Sequence, residues 1–236
     1  SGTVTFVGST MTNATYTTSF TEATTGNEVT VQDASEEWIS EETPFGKVFG
    51  ANGSSESNNY LKTAPSEAAT TTITFETPVE AGSLGIVLGD FDVDSAVVSA
   101  TNPAGDALTG DELVGSSTAN GFNLCDVKKN VPTVCEDVED PKDVPSFVKA
   151  ANNVTFNSSV VGEDIGVNAW LQPSVEVSSI TVVHTGSGTV RIGLAGPVIP
   201  TLAETGTSKS DLFALAAALM MLGLISVVHS RRFGNN

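Results

Sequence analysis

Asp90, Asp92 and Asp94 occupy alternate positions of Gly89-Asp90-Phe91-Asp92-Val93-Asp94, a spacing that puts three carboxylates on one face of a strand. Like charges held so close repel, and a hard cation such as calcium would relieve the repulsion with oxygen ligands. These three are the candidate metal ligands, and calcium is the candidate cofactor. An EF-hand starting at Asp90 would need Gly at 95 and Glu at 101, where Ser95 and Thr101 stand. Solvated or turn-binding aspartates at a strand end would show the same spacing. Cys125 and Cys135 enclose nine residues. In an extracellular chain an even cysteine count favours a disulfide, worth roughly 3 kcal/mol for so small a loop in the chain-entropy account. Catalysis has little to work with. A Ser-His-Asp or Cys-His unit would have to use His184, inside a strand-like run, because His229 follows a long apolar stretch. With 28 acidic residues some carboxylate pair always arises, and no spacing singles one out. No catalytic residue is expected, and the chain reads as not an enzyme. Lys62, after Tyr60-Leu61, is a candidate for a pilin-like covalent link, although no pilin-type motif surrounds it. Trp38, Phe45, Tyr60 and Trp170, with the Asn-rich stretch 51–59, could form a platform for sugar rings. Trp170 alternates with small residues, however, as a core residue would.

The C-terminal segment carries a different chemistry. Leu202-Ala203-Glu204-Thr205-Gly206 is followed by a short polar spacer, an uncharged apolar run over 212–228, and Arg231-Arg232. As a helix that 17-residue run would be about 26 Å long, just short of a ~30 Å hydrocarbon core. Arginines behind it stay cytoplasmic by the positive-inside bias, which leaves the rest of the chain outside. This tail resembles the cell-wall sorting signal that sortase transpeptidases of Gram-positive bacteria read, in the Leu-Ala-x-Thr-Gly form used in high-GC species. The resemblance implies that a sortase thiolate attacks the Thr205 carbonyl and releases Gly206 with the tail. The acyl group then passes to a peptidoglycan amine. An ordinary single-pass anchor would share the apolar run and arginines. A GPI signal ends in its apolar tail, which Arg231-Arg232 contradict.

Charge narrows the partners. Ten basic and 28 acidic residues give a formal net charge of −18. Removing 206–236, which holds Lys209, Arg231, Arg232 and Asp211, leaves 7 basic against 27 acidic residues. Such a chain repels nucleic acid and other anionic polymers, so no nucleic-acid partner is expected. The first residue is Ser1, and a sorting tail requires a secretory signal, so removal of a leader is expected.

The elements that must position these residues read as β. Thr, Ser, Val and Gly dominate the first 200 residues, which suits pleated, half-buried strands. Thr70-Thr71-Thr72-Ile73-Thr74-Phe75 puts Ile73 and Phe75 on one face and threonines on the other. Leu84, Ile86 and Leu88 share a face. The runs 180–184 and 189–194 flank Gly186-Ser187-Gly188 as a hairpin would. Thr101-Asn102-Pro103-Ala104-Gly105-Asp106 predicts a turn after a strand over 96–100. The stretch 36–69 predicts a long surface loop, and the acidic, proline-punctuated 135–145 another.

The order Phe75-Glu76-Thr77-Pro78-Val79, Gly89-Asp90-Phe91-Asp92-Val93-Asp94, Phe122-Asn123-Leu124-Cys125, Asp143-Val144-Pro145-Ser146-Phe147 and Trp170-Leu171-Gln172-Pro173 resembles a family of β-domains on actinobacterial secreted and wall-anchored proteins. The resemblance spans roughly 45–195. Phe91 replaces an aliphatic residue of the pattern, Phe147 a Trp, and Leu171 a Phe. The resemblance implies fold and location and assigns no catalytic residue. The expected protein is therefore an all-β, antiparallel β-sandwich, jelly-roll or Ig-like, over 1–198. A linker follows over 199–210, then a transmembrane helix over 211–230 and a basic tail over 231–236. Its expected role is adhesion, binding or shielding at the cell surface, with a surface ligand that is a glycan if the chain is a carbohydrate-binding module.

Overall fold

The computed structural model describes residues 1–6, 11–21, 27–32, 42–49, 60–64, 68–89, 95–115, 121–127, 144–158, 166–186 and 188–196. All of them fall in one compact unit, Ser1–Ile199. Among the described residues, thirteen strands form two sheets in which every pairing is antiparallel. The seven-stranded sheet contains β1 (Gly2–Val4), β2 (Ala14–Phe20), β5 (Ala68–Val79), β7 (Ser95–Thr101), β9 (Ser146–Lys149), β10 (Val154–Asn157) and β12 (Val177–Thr185), in the spatial order β1-β2-β5-β12-β7-β10-β9. The six-stranded sheet contains β3 (Glu28–Gln32), β4 (Tyr60–Ala64), β6 (Gly85–Gly89), β8 (Gly121–Asn123), β11 (Val167–Leu171) and β13 (Val190–Ala195), in the order β3-β4-β13-β6-β11-β8. The described residues also hold three short helices: α1 (Pro44–Phe49), α2 (Gly110–Val114) and α3 (Leu124–Val127).

Period-two alternation explains why these residues form strands. In β7 and β12 the inward positions Ala96, Val98, Ala100, Ile180 and Val182 are buried, and the positions between them are partly exposed. Inward residues of the other sheet, among them Leu61, Ile86, Leu88, Val190 and Ile192, join them in one core cluster. The fold is therefore an all-β sandwich in which two inner faces bury each other. The turn expected at 101–106 is present. Asn102 Oδ1 accepts the amides of Ala104 and Asp106 at 3.0 and 2.9 Å, and Gly105 takes the positive φ of 87° that favours glycine.

Two expectations need correction. The runs flanking Gly186 are strands but not a hairpin: β12 lies between β5 and β7, whereas β13 lies between β4 and β6 in the other sheet. A short glycine turn serves a corner between sheets as well as a hairpin, and the burial of β12 and β13 on opposite sides of the core selects the corner. Nor is 36–69 one long loop. It contains α1, whose Phe45 and Phe49 are buried, and β4, whose Tyr60 and Leu61 are buried.

α2 closes one end of the sandwich. Thr109 is its N-cap: its hydroxyl accepts the Glu112 amide at 3.2 Å, while Glu112 Oε2 accepts from the Thr109 amide at 2.7 Å. Leu113 and Val114 pack into the core. Gly115 ends the helix at φ 60°, and a Cβ there would lie 2.1 Å from the Gln172 carbonyl oxygen. The bonds from the Thr109 backbone and then its side chain hold the exposed Glu112 carboxyl below its ordinary pKa.

Ile180→Ala, at a fully buried position, should cost about 2–5 kcal/mol in urea denaturation. Thr109→Ala should raise the Glu112 titration midpoint toward the ordinary carboxylate value, read by carboxyl NMR. Because the folded-state pKa is depressed, the cap's contribution is present above the unfolded value and is lost as pH falls through the folded one.

Candidate functional site

The outer face of the six-stranded sheet is covered. Tyr60, Val87, Phe122 and Trp170 point away from the inter-sheet core and form a second buried cluster with Phe45, Phe49 and Leu124. α1 supplies the cover, starting at the buried Thr43, whose hydroxyl accepts the Gly46 amide at 2.9 Å. The two phenylalanine rings meet Trp170 edge-on, at 6.1 and 6.4 Å between centroids. Gly85 has no room for a side chain, since a Cβ would lie 2.6 Å from Phe49 Cε2. The aromatic platform expected for sugars is therefore not available from Phe45, Tyr60 and Trp170, at 1, 4 and 4% exposure. They are core because each covers the outer side of a central strand. Trp38 lies outside the described residues.

Lys62 sits in the middle of β4, opposite Thr30 on one side and Arg191 on the other. The Arg191 guanidinium lies 5.7 Å from the Tyr60 ring centre, a cation–π contact. Neither register neighbour of Lys62 carries the amide or carboxyl that an isopeptide requires. His184 points into the core at 1% exposure, between Ala69 and Ala96 in the register. The imidazole fills space that two small side chains leave, and neither neighbour offers a hydroxyl or carboxylate for a triad.

The motif residues Phe122-Asn123-Leu124-Cys125 and Asn168-Ala169-Trp170 come together through the β8–β11 pairing, with Asn168 opposite Phe122. Asn123 Oδ1 accepts the Cys125 amide at 2.9 Å, and Asn168 Nδ2 donates to the Gly166 carbonyl at 2.5 Å. Gly166, at φ 90°, also receives the Leu124 amide on its carbonyl at 2.7 Å. These bonds tie the β8–α3 junction to the residue that leads into β11. Cys125 is buried. Its expected partner Cys135 lies outside the described residues, as do Asp90, Asp92, Asp94 and the sorting residues Leu202, Ala203, Glu204, Thr205 and Gly206. Among the described residues no three His, Cys, Asp or Glu side chains gather as a metal set. No helix among them is long and apolar enough to cross a membrane, and the run 212–228 lies outside them.

The outer face of the seven-stranded sheet differs in kind. One row crosses five strands as Thr3, Thr15, Thr74, Ser179 and Thr101. The next crosses four as Thr17, Thr72, Thr181 and Ser99. Thr72 and Thr181 hydroxyls bond at 3.2 Å, and those of Thr101 and Ser179 at 2.8 Å. Thr15, Thr17 and Thr74 are exposed. A third row brings Val183, Val97, Thr155 and Val148 side by side. No residue in these rows carries a charge. The sequence showed the threonines of one strand facing away from the core, but the rows depend on pairings between strands far apart in the chain.

No protein-family profile matches this chain, and no curated protein matches it. Among solved structures, the enzymatically active domain of tailspike protein 4 from bacteriophage CBA120 is similar at a TM-score of 0.34 and 11% identity, over 79% of this chain. This chain spans 19% of that chain's length.

Phe45→Ala should cost about 3–5 kcal/mol in urea denaturation. It should also shift Trp170 fluorescence to longer wavelength as water reaches the indole. An unchanged emission spectrum in the folded variant would mean that α1 does not cover Trp170.

Proposed function

We propose that this chain is a cell-wall-anchored surface protein, a sortase substrate cleaved between Thr205 and Gly206. On this reading the β-sandwich is displayed outside the cell for adhesion, binding or shielding. The observation that carries it is the order of features in the tail: Leu202-Ala203-Glu204-Thr205-Gly206, a polar spacer, the apolar run 212–228 and Arg231-Arg232. Each feature alone is weak. Together they supply a scissile bond, a membrane pause and a cytoplasmic stop. In this reading the run 211–230 spans the membrane until transfer, peptidoglycan becomes the covalent partner through Thr205, and Cys125 pairs with Cys135. A net charge of −18 fits a protein that must stay soluble and apart from other anionic polymers.

For the finer fold we infer a jelly roll rather than an Ig-like sandwich. Taking β4, β5, β6, β7, β10, β11, β12 and β13 as first to eighth, one sheet orders them first-eighth-third-sixth and the other second-seventh-fourth-fifth. That nesting of two Greek keys is the jelly-roll winding. β1, β2, β3, β8 and β9 extend the edges.

Intact mass of the wall-released protein tests the anchoring. A chain ending at Thr205 with a peptidoglycan fragment attached is expected, and it should disappear in a sortase-deficient strain. A chain found only in the membrane fraction with 206–236 still attached would overturn the reading. In the same spectrum, reduction should add two hydrogens to the chain if Cys125 and Cys135 are joined.

A further inference from the structure

We propose that the outer face of the seven-stranded sheet is a docking surface for a neutral polysaccharide, seated on the Val97–Val183 pair between flanking rows of hydroxyls. The proposal gives the displayed domain a partner, and it rests on the surface reading only for access to glycan outside the cell.

Three observations carry it. The first is charge. On a chain of net charge −18, the rows across this sheet hold Thr, Ser and Val, with Ala68 and Asn157 in the row of Thr185 and Ser95, and no ionised side chain. A polyanion would be repelled by the molecule as a whole, whereas an uncharged polymer meets no field here. The second is the pattern. Val183 and Val97 are opposite each other, with Thr181 and Ser99 on one side and Thr185 and Ser95 on the other. A sugar ring presents C–H faces and a hydroxyl rim. Valine methyls suit the former, and hydroxyls, which both donate and accept, suit the latter. The third is preorganisation. The bonds Thr72–Thr181 and Thr101–Ser179 hold hydroxyls in place before any ligand arrives, so little side-chain freedom remains to be lost on binding.

A second copy of the chain fits this face less well. It would bring two strongly acidic molecules together across a surface without the apolar core of a stable interface. With no aromatic side chain in these rows, each sugar contact is weak, and useful affinity must come from many units of one polymer. The fitting probe is therefore a polysaccharide rather than a monosaccharide.

The test is affinity electrophoresis of the full chain in detergent, in native gels containing dextran, laminarin or yeast mannan, with hyaluronate as the anionic control. Retardation by at least one neutral polymer and none by hyaluronate is expected. Val183→Asp should weaken that retardation about tenfold. Thr185→Glu, at an exposed position with no packing to lose, should do the same if the first variant folds poorly. The proposal is overturned if no neutral polymer retards the chain or if both folded variants bind as the parent does. Equal retardation by hyaluronate would also overturn it, as would sedimentation showing a dimer that Thr185→Glu dissociates. None of these readouts depends on cleavage at Thr205, so failure here and failure of wall anchoring are separate results.

Discussion

The centre of the six-stranded sheet is buried on both sides, and the rest of the fold answers to that constraint. Every residue of Gly85–Gly89 and of Val167–Leu171 is buried. Strands of that kind need two covers. The seven-stranded sheet provides one, and the other is the aromatic layer of Phe45, Phe49 and Tyr60 around Trp170. The layer fits so closely that position 85 can hold no side chain. The seven-stranded sheet has the opposite arrangement, with one face in the core and one left to water. Threonine satisfies both demands on that wet face, since it favours the pleated backbone and keeps a hydroxyl outward.

The parts of this arrangement that were legible in the sequence are local ones. Alternation placed Ile73 and Phe75 inward, the Asn-Pro-Ala-Gly segment gave its turn, and the small residues around Trp170 marked it as core. Pairing between distant strands was not legible. Thr15 meets Thr74, and Thr74 meets Ser179, through register that no window of sequence contains. The Gly-Ser-Gly segment showed the same limit, because a tight turn does not say whether the next strand returns to the same sheet. α1 leaves no trace in the sequence pattern because six residues are too few for a helical period to show. Of the residues picked for chemistry, His184 and Lys62 proved to be embedded in strands. The carboxylate triplet and the sorting pentapeptide fall outside the described residues.

The short motifs around Asn123, Asn168 and Trp170 serve construction. Asn123 fixes the backbone at Cys125, Asn168 ties into Gly166, and Trp170 anchors the outer aromatic layer. Residues that must satisfy buried polar groups at such a junction tolerate few replacements, because an orphaned buried amide costs about 1–3 kcal/mol. A motif can thus be specific without touching a ligand. The outer face of the seven-stranded sheet is instead built mainly from undistinctive residues, threonines and serines.

β13, the last of the described strands, is not at an edge; it lies between β4 and β6. If the chain is tethered beyond it, tension on the tether acts first on a strand clasped on both sides. An edge strand could be peeled away one bond at a time, whereas β13 must break two ladders while its inward residues Val190 and Ile192 leave the core. Resistance to pulling is a matter of unfolding rate rather than equilibrium stability. The position of one strand therefore gives the domain its grip at the end where a wall-fixed molecule would be dragged.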